Sequence, residues 1–366
     1  MKYLFVFTIL IPSFSLNSQP LPLDGKIDSL IKAKQTKYSI PGLSIAVVHH
    51  DKVFYNKGFG VRDINTKQPV DQNTIFHTAS LSKLFTAQAV MNLIDKNFFS
   101  LDDKISKLLP EFKLADPKYA DITVRHLLNH TSGMPDIVNY HWSDKQDDTD
   151  ALKKYVLSLS TTKLKSVPGK VFAYSSMDYD VLGYIIERTA HIPFALFMKQ
   201  NILQPFEMIH SDFDYFKIDT ALRCSPHTKG IFKKVHTRKI YPYNPAHAPS
   251  STLNSSSNEL ALWMKSLLNS LHTNENHEYL STSTLQLMLK PSENFSLIGL
   301  GWFIEEISGE KTYYHFGGDR GFRSYLLLLP KHDLGMVLLA NCDYDEDFRQ
   351  EILNGIANTL IKEKNH

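Results

Sequence analysis

The pattern of apolar and polar positions divides the chain into two strand-forming ends and a helical middle. Near the start, apolar residues at helical spacing (27, 30 and 31) precede short β-prone segments at 43–48 and 53–59, with a polar turn at 49–52. Apolar residues at three- and four-residue steps predict helices over 81–94, 124–128, 178–190, 258–268 and 283–289. The last part predicts strands over 301–307, 312–316, 322–329 and 334–340, and an amphipathic helix over 345–362.

This order of elements predicts an α/β plus all-α fold. The simplest packing pairs the terminal strands in one antiparallel sheet, flanks that sheet with the terminal helices, and inserts the helical region between its strands. The sheet part is expected at about 24–73 and 291–366, and the helical part at about 74–290. A cleft should form where the two parts meet, which is a common place for a ligand site. The acidic run 144–150 and the basic run 229–239 are interpreted as solvated loops.

The composition is that of an ordinary globular protein. A net charge of +2 and a charged fraction of 21% indicate neither nucleic acid nor a charged polymer as a partner. An apolar run at 4–11 follows Lys2 and ends at Pro12, so residues 1–18 are predicted to be a signal peptide and the protein to be exported, periplasmic or secreted. No later apolar run is long enough for a transmembrane helix. The two cysteines, Cys224 and Cys342, are interpreted as separate buried thiols, with pairing left open.

One Ser-x-x-Lys pattern has a context that suits nucleophilic catalysis. Ser80 and Lys83 lie where a β-prone segment enters an apolar helix, and residues three apart share a helix face, so the hydroxyl and the amine can meet. A serine hydroxyl needs a base to take its proton, and a helix N-terminus offers N–H groups to a developing oxyanion. The alternative is an N-capping serine beside a solvent-facing lysine, which is preferred for the other matches at Ser29, Ser160 and Ser308.

Four stretches in a fixed order resemble the serine β-lactamase and penicillin-binding protein superfamily. The similarity is greatest to the branch that holds class C-type β-lactamases, D-amino-acid peptidases and esterases. The stretches are a first sheet strand at 41–48, the nucleophile motif at 79–83, a Tyr-Ser-Ser at 174–176 that is similar to Tyr-x-Asn, and a His-x-Gly strand at 315–318. A stretch at 122–134 is also similar to one widespread in this branch. The resemblance covers nearly all of the predicted mature domain, 19–366.

This resemblance implies how the proton and the oxyanion are handled. Ser80 is the implied nucleophile, and Tyr174 is implied to share the proton-acceptor role with Lys83. The backbone N–H groups of Ser80 and Gly318 are implied to form the oxyanion hole. Without the resemblance, Tyr174 reads as a core tyrosine with a satisfied hydroxyl.

Two motif positions differ from the β-lactamase form. Ser176 stands where the family usually has asparagine, and its shorter side chain reaches less far toward a substrate amide. His315 stands where β-lactamases have lysine, and a histidine is charged only in part near neutral pH. His315 is expected to position the substrate or to assist protonation of the leaving group, and Ser176 and Gly317 are expected to contact the substrate.

The resulting hypothesis is a serine hydrolase that acts through an acyl-enzyme on ester or amide substrates, D-amino-acid peptides included. The alternatives are a β-lactamase or D-Ala-D-Ala carboxypeptidase, and a catalytically silent binding protein with this fold. A small-molecule or peptide substrate is the expected partner, and the oligomeric state stays open. No metal or organic cofactor is expected. His126 and His130, four residues apart, are interpreted as ordinary histidines because no nearby acidic third ligand is evident.

Overall fold

The first half of the chain contains a helix, a hairpin and much of the helical region. The computed structural model describes residues 23–144, 147–230, 232–273, 280–307, 309–344 and 346–363, and the predicted signal peptide at 1–18 lies outside them. In chain order the elements of this half are α1 (Leu23–Tyr38), β1 (Gly42–His49), β2 (Lys52–Gly60), β3 (Phe76–His77), α2 (Ser82–Asp95), α3 (Ile105–Leu108), α4 (Val124–Leu128), α5 (Ala151–Ser158), α6 (Ser176–Ala190) and α7 (Phe194–Met198).

The second half completes the helical region and returns to long strands. Its elements are β4 (His227–Lys229), β5 (Val235–Thr237), α8 (Ala248–Ser251), β6 (Asn254–Ser255), α9 (Ser257–Thr273), α10 (Thr282–Leu289), β7 (Phe303–Ile307), β8 (Glu310–Asp319), β9 (Phe322–Leu329), β10 (Leu334–Ala340) and α11 (Arg349–Glu363). Every helix and strand predicted from the sequence has a counterpart here. The largest differences are in α9, which ends five residues later than predicted, and in α11, which begins four residues later.

The terminal strands form one six-stranded antiparallel sheet, and this confirms the predicted fold class. The strand order is β2-β1-β10-β9-β8-β7, and each neighbouring pair is antiparallel. The β1–β2 hairpin turns at His50 and Asp51, which both have left-handed φ values of +50° and +56°. Two consecutive residues of this kind fit the right-handed twist of paired strands, which explains the tight connection.

Both faces of the sheet are buried, so its strands alternate between two cores. Along β1, Leu43, Ile45 and Val47 pack with residues of α1 and α11, whereas Ala46 and Val48 belong to the core shared with α2, α6 and α9. The period-two alternation of side chains along a strand explains this division. The terminal helices therefore cover one face, and the inserted helical region covers the other. The open end of β8 lies where the sheet meets the inserted region.

The helical region also contains structure that the sequence did not indicate. The basic run 229–239 was predicted to be a solvated loop, and its described residues are exposed or half-buried, but the run contains β5, which pairs with β4 just before it. The loop prediction was wrong because contacts from distant residues hold this hairpin: His227 forms a bridge with Cys342, and its Nδ1 lies 3.0 Å from Asn341 O. Such contacts leave no periodic signal in a polar segment. Helix α5 directly follows the acidic run and was likewise not predicted.

Candidate active site

Ser80 lies on a tight turn between the short strand β3 and the buried helix α2. Strand β3 pairs with β6, and just beyond it the Thr78 N–H donates to Leu253 O at 2.8 Å. Ala79 then adopts a φ of +51°, a left-handed value that residues with a side chain seldom take. Residues 79–81 form one 3₁₀ turn, which the Ser82 hydroxyl fastens by donating to Ala79 O at 2.7 Å. The turn that presents Ser80 is thus strained and held from several sides.

Three of the predicted side chains meet at one oxygen atom. Lys83 Nζ donates to Ser80 Oγ at 3.1 Å, and the Tyr174 hydroxyl donates to the same oxygen at 3.0 Å. Lys83 lies about one helical turn after Ser80, so local geometry explains the first contact. Tyr174 comes from a loop 94 residues further along, and only the tertiary fold brings it here. Both groups lie within the distance that proton transfer from Ser80 requires.

Lys83 is fully buried although it carries an amine. Its exposed fraction is 0%, and Nζ also donates to Ser250 O at 2.7 Å. Nζ lies 5.0 Å from the centre of the Tyr174 ring. Within the described ranges no carboxylate forms a salt bridge with it, and the neighbouring buried carboxyl groups of Asp178 and Asp180 pair with histidines instead. Lys83 therefore does not face solvent, and the alternative of a helix-capping serine beside a solvent-facing lysine does not hold for Ser80 and Lys83.

His130 holds the loop that carries Tyr174. The Ala173 N–H donates to His130 O at 2.9 Å, and the Ser175 N–H donates to His130 Nδ1 at 3.2 Å. The His130 ring also packs on the Tyr174 ring, with centroids 4.5 Å apart. The backbone on both sides of Tyr174 is thus fixed by one residue. From the sequence, His130 is an ordinary histidine, and the available signal for this role was its place in the stretch 122–134.

Burial shifts the pKa values of His130 and Asp178 in opposite directions, and each shift favours the neutral form. Burial lowers the pKa of His130 well below its ordinary value, and the charge of Lys83 lowers it further. Burial raises the pKa of Asp178 well above its ordinary value, although the Ser132 hydroxyl donates to it at 2.5 Å. The two side chains lie 3.3 Å apart. The Asp178 carboxyl thus lies against the same His130 ring that holds the tyrosine loop.

Strand β8 passes directly against the turn that carries Ser80. A Cβ at Gly317 would lie 2.3 Å from Thr78 O and 2.1 Å from Ser324 Oγ, so only glycine allows this approach. Gly317 is buried, whereas the next residue, Gly318, is exposed. Strand β7 pairs with β8 only as far as Tyr314, and residues 315–319 therefore leave one strand edge open on that side. The two segments that carry the predicted oxyanion N–H groups are thus in contact.

His315 is buried and neutral. Its exposed fraction is 2%, its Nδ1 lies 2.6 Å from Phe316 O, and its Nε2 has no hydrogen-bond partner among the described residues. Burial lowers the pKa of His315 to about 3, and the charge of Lys83 acts in the same direction. The partial charge expected from the sequence is therefore wrong, because that expectation assumed contact with water. His315 makes no described hydrogen bond to Ser80, and its ring centre lies 6.3 Å from that of Tyr174.

Acidification is expected to destabilise the protein through His315. Between pH 6.5 and pH 3 the unfolded chain binds a proton at this residue, whereas the folded chain does not. The free energy of unfolding therefore falls as the pH decreases through this window, by at most about 1.4 kcal/mol per pH unit from this group. Urea unfolding of wild type and His315→Gln between pH 7 and pH 4 measures the effect, and the variant should lose less stability.

An exposed histidine provides the control for this prediction. His210 is exposed and lies outside the site. His210→Gln should follow the wild-type pH profile of unfolding free energy. If His315→Gln also loses stability as steeply as wild type, His315 is not held neutral in the folded protein.

Ser176 begins helix α6 and makes no described hydrogen bond to Ser80, Lys83 or Tyr174. Its side chain is buried, and its Oγ accepts a hydrogen bond from the Tyr140 hydroxyl at 2.7 Å. Its backbone N–H donates to Asp136 Oδ1 at 2.7 Å. The Tyr140 ring stacks on Trp142, with centroids 4.6 Å apart. The sequence offered no signal for Tyr140, which lies in a segment without regular secondary structure.

The remaining candidate groups stay apart from this site. In the described part of the chain, no three or more His, Cys, Asp or Glu residues are placed to hold a metal ion. His126 Nδ1 instead accepts the Thr123 N–H at 3.2 Å, at the start of α4. Cys224 and Cys342 are both buried and free. None of the described helices is long and apolar enough to cross a bilayer.

The sheet, the inserted helical region and the convergence of Ser80, Lys83 and Tyr174 define a protein of the serine β-lactamase and penicillin-binding protein superfamily. The members of this superfamily are serine hydrolases. The family model described as Beta-lactamase matches residues 27–360, and the chain belongs to this family.

Curated relatives align with most of this chain. Protein flp of Staphylococcus aureus (strain COL) is 28% identical over 350 residues, which are 93% of this chain and 67% of that protein. Penicillin-binding protein 4* of Bacillus subtilis (strain 168) is 25% identical over 351 residues, which are 92% of this chain and 75% of that protein. The similarity thus extends over both the sheet and the helical region.

Solved structures show the same fold at lower sequence identity. The octameric penicillin-binding protein homologue from Pyrococcus abyssi has a TM-score of 0.78 at 24% identity and covers 92% of this chain and 77% of that chain. The D-amino acid amidase from Ochrobactrum anthropi SV3 has a TM-score of 0.77 at 19% identity and covers 93% of this chain and 99% of that chain. These likenesses establish the architecture of the chain.

Proposed function

We propose that this protein cleaves ester or amide bonds through a covalent acyl-enzyme on Ser80. The observation that carries this proposal is the convergence of Lys83 Nζ and the Tyr174 hydroxyl on Ser80 Oγ, at 3.1 Å and 3.0 Å. A hydroxyl becomes an effective nucleophile when a neighbouring group takes its proton as the new bond forms. Two such groups, Lys83 Nζ and the Tyr174 hydroxyl, lie within hydrogen-bond distance of Ser80 Oγ, and the fold holds both in place.

The reaction proceeds in two halves. Ser80 Oγ bonds to the carbonyl carbon while its proton passes to the Lys83–Tyr174 pair, and the N–H groups of Ser80 and Gly318 stabilise the oxyanion. The bond to the leaving oxygen or nitrogen then breaks, and this atom takes a proton from Tyr174. In the second half, water attacks the acyl carbon and gives a proton to the same pair. The pair returns this proton to Ser80 Oγ as the bond to the acyl carbon breaks, which releases the acid and restores free Ser80.

His315 is proposed to position the substrate as a neutral hydrogen-bond acceptor. Its Nδ1 is engaged with Phe316 O, and its buried Nε2 is without a partner in the described ranges. A buried lone pair without a donor is costly, so an N–H or O–H of the substrate that reaches it gains a favourable contact. A neutral ring offers no charge to a substrate carboxylate, which distinguishes this site from one with lysine at the same position.

An apolar cleft lies beside this group of residues. It encloses about 560 Å³, and most of its lining comes from the loop before β7 and from β7 itself. Phe303 forms its inner wall, and the Phe303 ring centre lies 5.1 Å from that of His315 and 6.3 Å from that of Tyr174. The lining residues are Phe172, Asn294, Phe295, Ser296, Leu297, Ile298, Phe303, Ile304, Glu305 and Tyr314.

This cleft is proposed to receive the leaving group. Tyr174 hands a proton to the leaving atom, so the leaving group lies on the side of Tyr174, whereas the acyl group extends past Gly318. Phe303 stacks on Tyr174 on that same side. Leu297 is 68% exposed on the rim of the cleft, and apolar substrate surface would cover it. The favoured substrates therefore carry an apolar or aromatic leaving group.

Benzyl acetate is expected to have a kcat/KM about 10- to 100-fold higher than ethyl acetate. The two alcohols are leaving groups of similar basicity and share one acyl group, so the difference reports binding of the leaving group. Leu297→Asp should reduce this preference by placing a charge at the rim of the cleft. Acetate release, followed at constant pH, gives both constants.

A second exposed leucine supplies the matched control. Leu196 is 45% exposed on α7 and does not line the cleft, so Leu196→Asp should keep the wild-type preference. Equal kcat/KM values for the two esters in wild type would reject the cleft as a leaving-group site. Absence of hydrolysis of both esters, together with no labelling of Ser80 by a fluorophosphonate, would reject the hydrolase itself.

The alternatives make separate predictions. A β-lactamase turns over nitrocefin rapidly, and a carboxypeptidase related to penicillin-binding proteins retains a fluorescent penicillin as a stable adduct. The names of the relatives favour testing both, and the D-amino acid amidase likeness favours adding D-phenylalanine amide. The neutral His315 and the engaged Ser176 favour esters and simple amides over these substrates. A catalytically silent binding protein would acquire no adduct from any of these probes.

Export is proposed from the predicted signal peptide at 1–18. Its test is the N-terminus of the mature protein recovered after expression in a bacterium with an intact export system. A mature protein that begins near residue 19 in the periplasm or the medium supports export, and full-length protein in the cytoplasm contradicts it.

A further inference from the structure

One buried carboxylate outside the proton-transfer group joins three segments of the active site. Asp319 Oδ2 accepts a hydrogen bond from the Ser251 hydroxyl at 2.5 Å and lies 2.8 Å from His77 Nε2. The exposed fractions of the His77 and Asp319 side chains are 0% and 9%. None of these side chains forms a described hydrogen bond with Ser80.

Each of the three residues is next to a part of the catalytic machinery. Asp319 directly follows Gly318, the second oxyanion N–H donor. His77 ends β3, three residues before Ser80. Ser251 follows Ser250, whose carbonyl oxygen accepts a hydrogen bond from Lys83 Nζ at 2.7 Å. Asp319 Oδ2 therefore connects three segments: the end of β8, the turn that carries Ser80, and the segment whose Ser250 carbonyl binds Lys83.

The surroundings of His77 hold this connection rigidly. Its ring packs against Trp142, Tyr241 and Phe322 with centroids 5.6 to 6.3 Å apart. Its Nδ1 is buried and without a partner among the described residues. Burying such polar groups is costly, and well-packed apolar residues often stabilise a fold equally well. Stability alone therefore gives little reason for a histidine and an aspartate at these positions.

We infer that Asp319 and His77 are positioning residues that set the spacing of the oxyanion hole. The connection fixes Gly318 N–H relative to Ser80 N–H, because one partner lies one residue after Gly318 and the other three residues before Ser80. Two donors stabilise an oxyanion fully only when both lie about 2.7–3.1 Å from it. This inference rests on the proposed function, and it adds the residues that maintain the geometry of the site.

The test compares an oxoester with its thionoester, phenyl acetate against O-phenyl thionoacetate. Sulfur is larger and accepts hydrogen bonds more weakly than oxygen, so a hole spaced for oxygen discriminates against the thionoester. Asp319→Ala and His77→Phe are expected to lower kcat for phenyl acetate by about 10²-fold, with KM little changed. The kcat for the thionoester should fall far less, so the ratio of the oxoester rate to the thionoester rate decreases. A loss of folded enzyme would lower both rates equally.

Conservative and distant substitutions complete the experiment. His77→Gln keeps an N–H donor near the Nε2 position and should restore most of the wild-type ratio. His227 is a buried histidine that holds residues outside the site, so His227→Phe should keep the ratio even if it lowers the melting temperature. If Asp319→Ala does not fold, Asp319→Asn decides in its place, since it keeps the size and removes the charge.

The outcomes separate this inference from the proposed function. A wild-type ratio in folded Asp319→Ala and His77→Phe would overturn the positioning role while leaving the hydrolase intact. A wild-type protein that hydrolyses neither ester would overturn both. A reduced ratio in these two variants, with recovery in His77→Gln, establishes the role.

Discussion

Ser80→Ala is expected to lower kcat for ester hydrolysis by on the order of 10⁵-fold. Ser80 Oγ is the oxygen on which Lys83 Nζ and the Tyr174 hydroxyl converge, and without it no acyl-enzyme forms. The remaining oxyanion N–H groups can assist only direct attack by water. Release of acid from phenyl acetate, corrected for the uncatalysed rate, measures the loss. KM should change little, because the substrate contacts remain.

The control is a serine with the same sequence pattern in a different environment. Ser29 and Lys32 also form Ser-x-x-Lys, but both are exposed on α1, and the Ser29 hydroxyl donates to Gly25 O. Ser29→Ala should keep the wild-type kcat. A folded Ser80→Ala protein that retains the wild-type rate would show that another residue attacks the substrate.

Lys83→Met is expected to lower kcat by about 10³-fold. Methionine is unbranched and similar in length, so it can fill the buried space of Lys83 while removing the amine that contacts Ser80 Oγ and Ser250 O. Tyr174 remains and supports a residual rate. Stopped-flow measurement of the acylation burst with p-nitrophenyl acetate locates the loss in the first chemical step.

Two controls accompany the lysine substitution. Lys32→Met replaces the exposed lysine of the other pattern and should leave the burst unchanged. Circular dichroism must show a native spectrum for Lys83→Met. A loss below about tenfold would mean that Lys83 is a structural residue rather than a participant in proton transfer.

The order of strands and helices could be predicted because both cores follow simple periods. Every second residue of β1 faces the terminal helices, and α2 and α6 keep apolar residues at helical spacing. The β4–β5 hairpin escaped prediction because distant backbone atoms near Cys342 hold it. The start of α11 was placed too early because the periodic pattern alone does not define a helix end.

Some contacts of the site could likewise be predicted from residues close in the chain, whereas others depend on the tertiary fold. The contact between Ser80 and Lys83 follows from helix geometry, and it was predictable from spacing. The contact between Ser80 and Tyr174 could be predicted only from the resemblance to a known family. The roles of His130, Tyr140 and Asp319 appear only in three dimensions, since each acts through hydrogen bonds to residues far away in the chain. The neutrality of His315 likewise depends on burial that no local pattern encodes.

The most direct test of the account is intact-mass analysis after treatment with a fluorophosphonate and, separately, with a penicillin. The nucleophile displaces fluoride from phosphorus, so wild type should gain the mass of one phosphonyl group, and Ser29→Ala should gain the same mass. Ser80→Ala should gain none from either reagent. An adduct that persists in Ser80→Ala, or a wild-type protein that no reagent modifies, would contradict the assignment of Ser80 as the nucleophile.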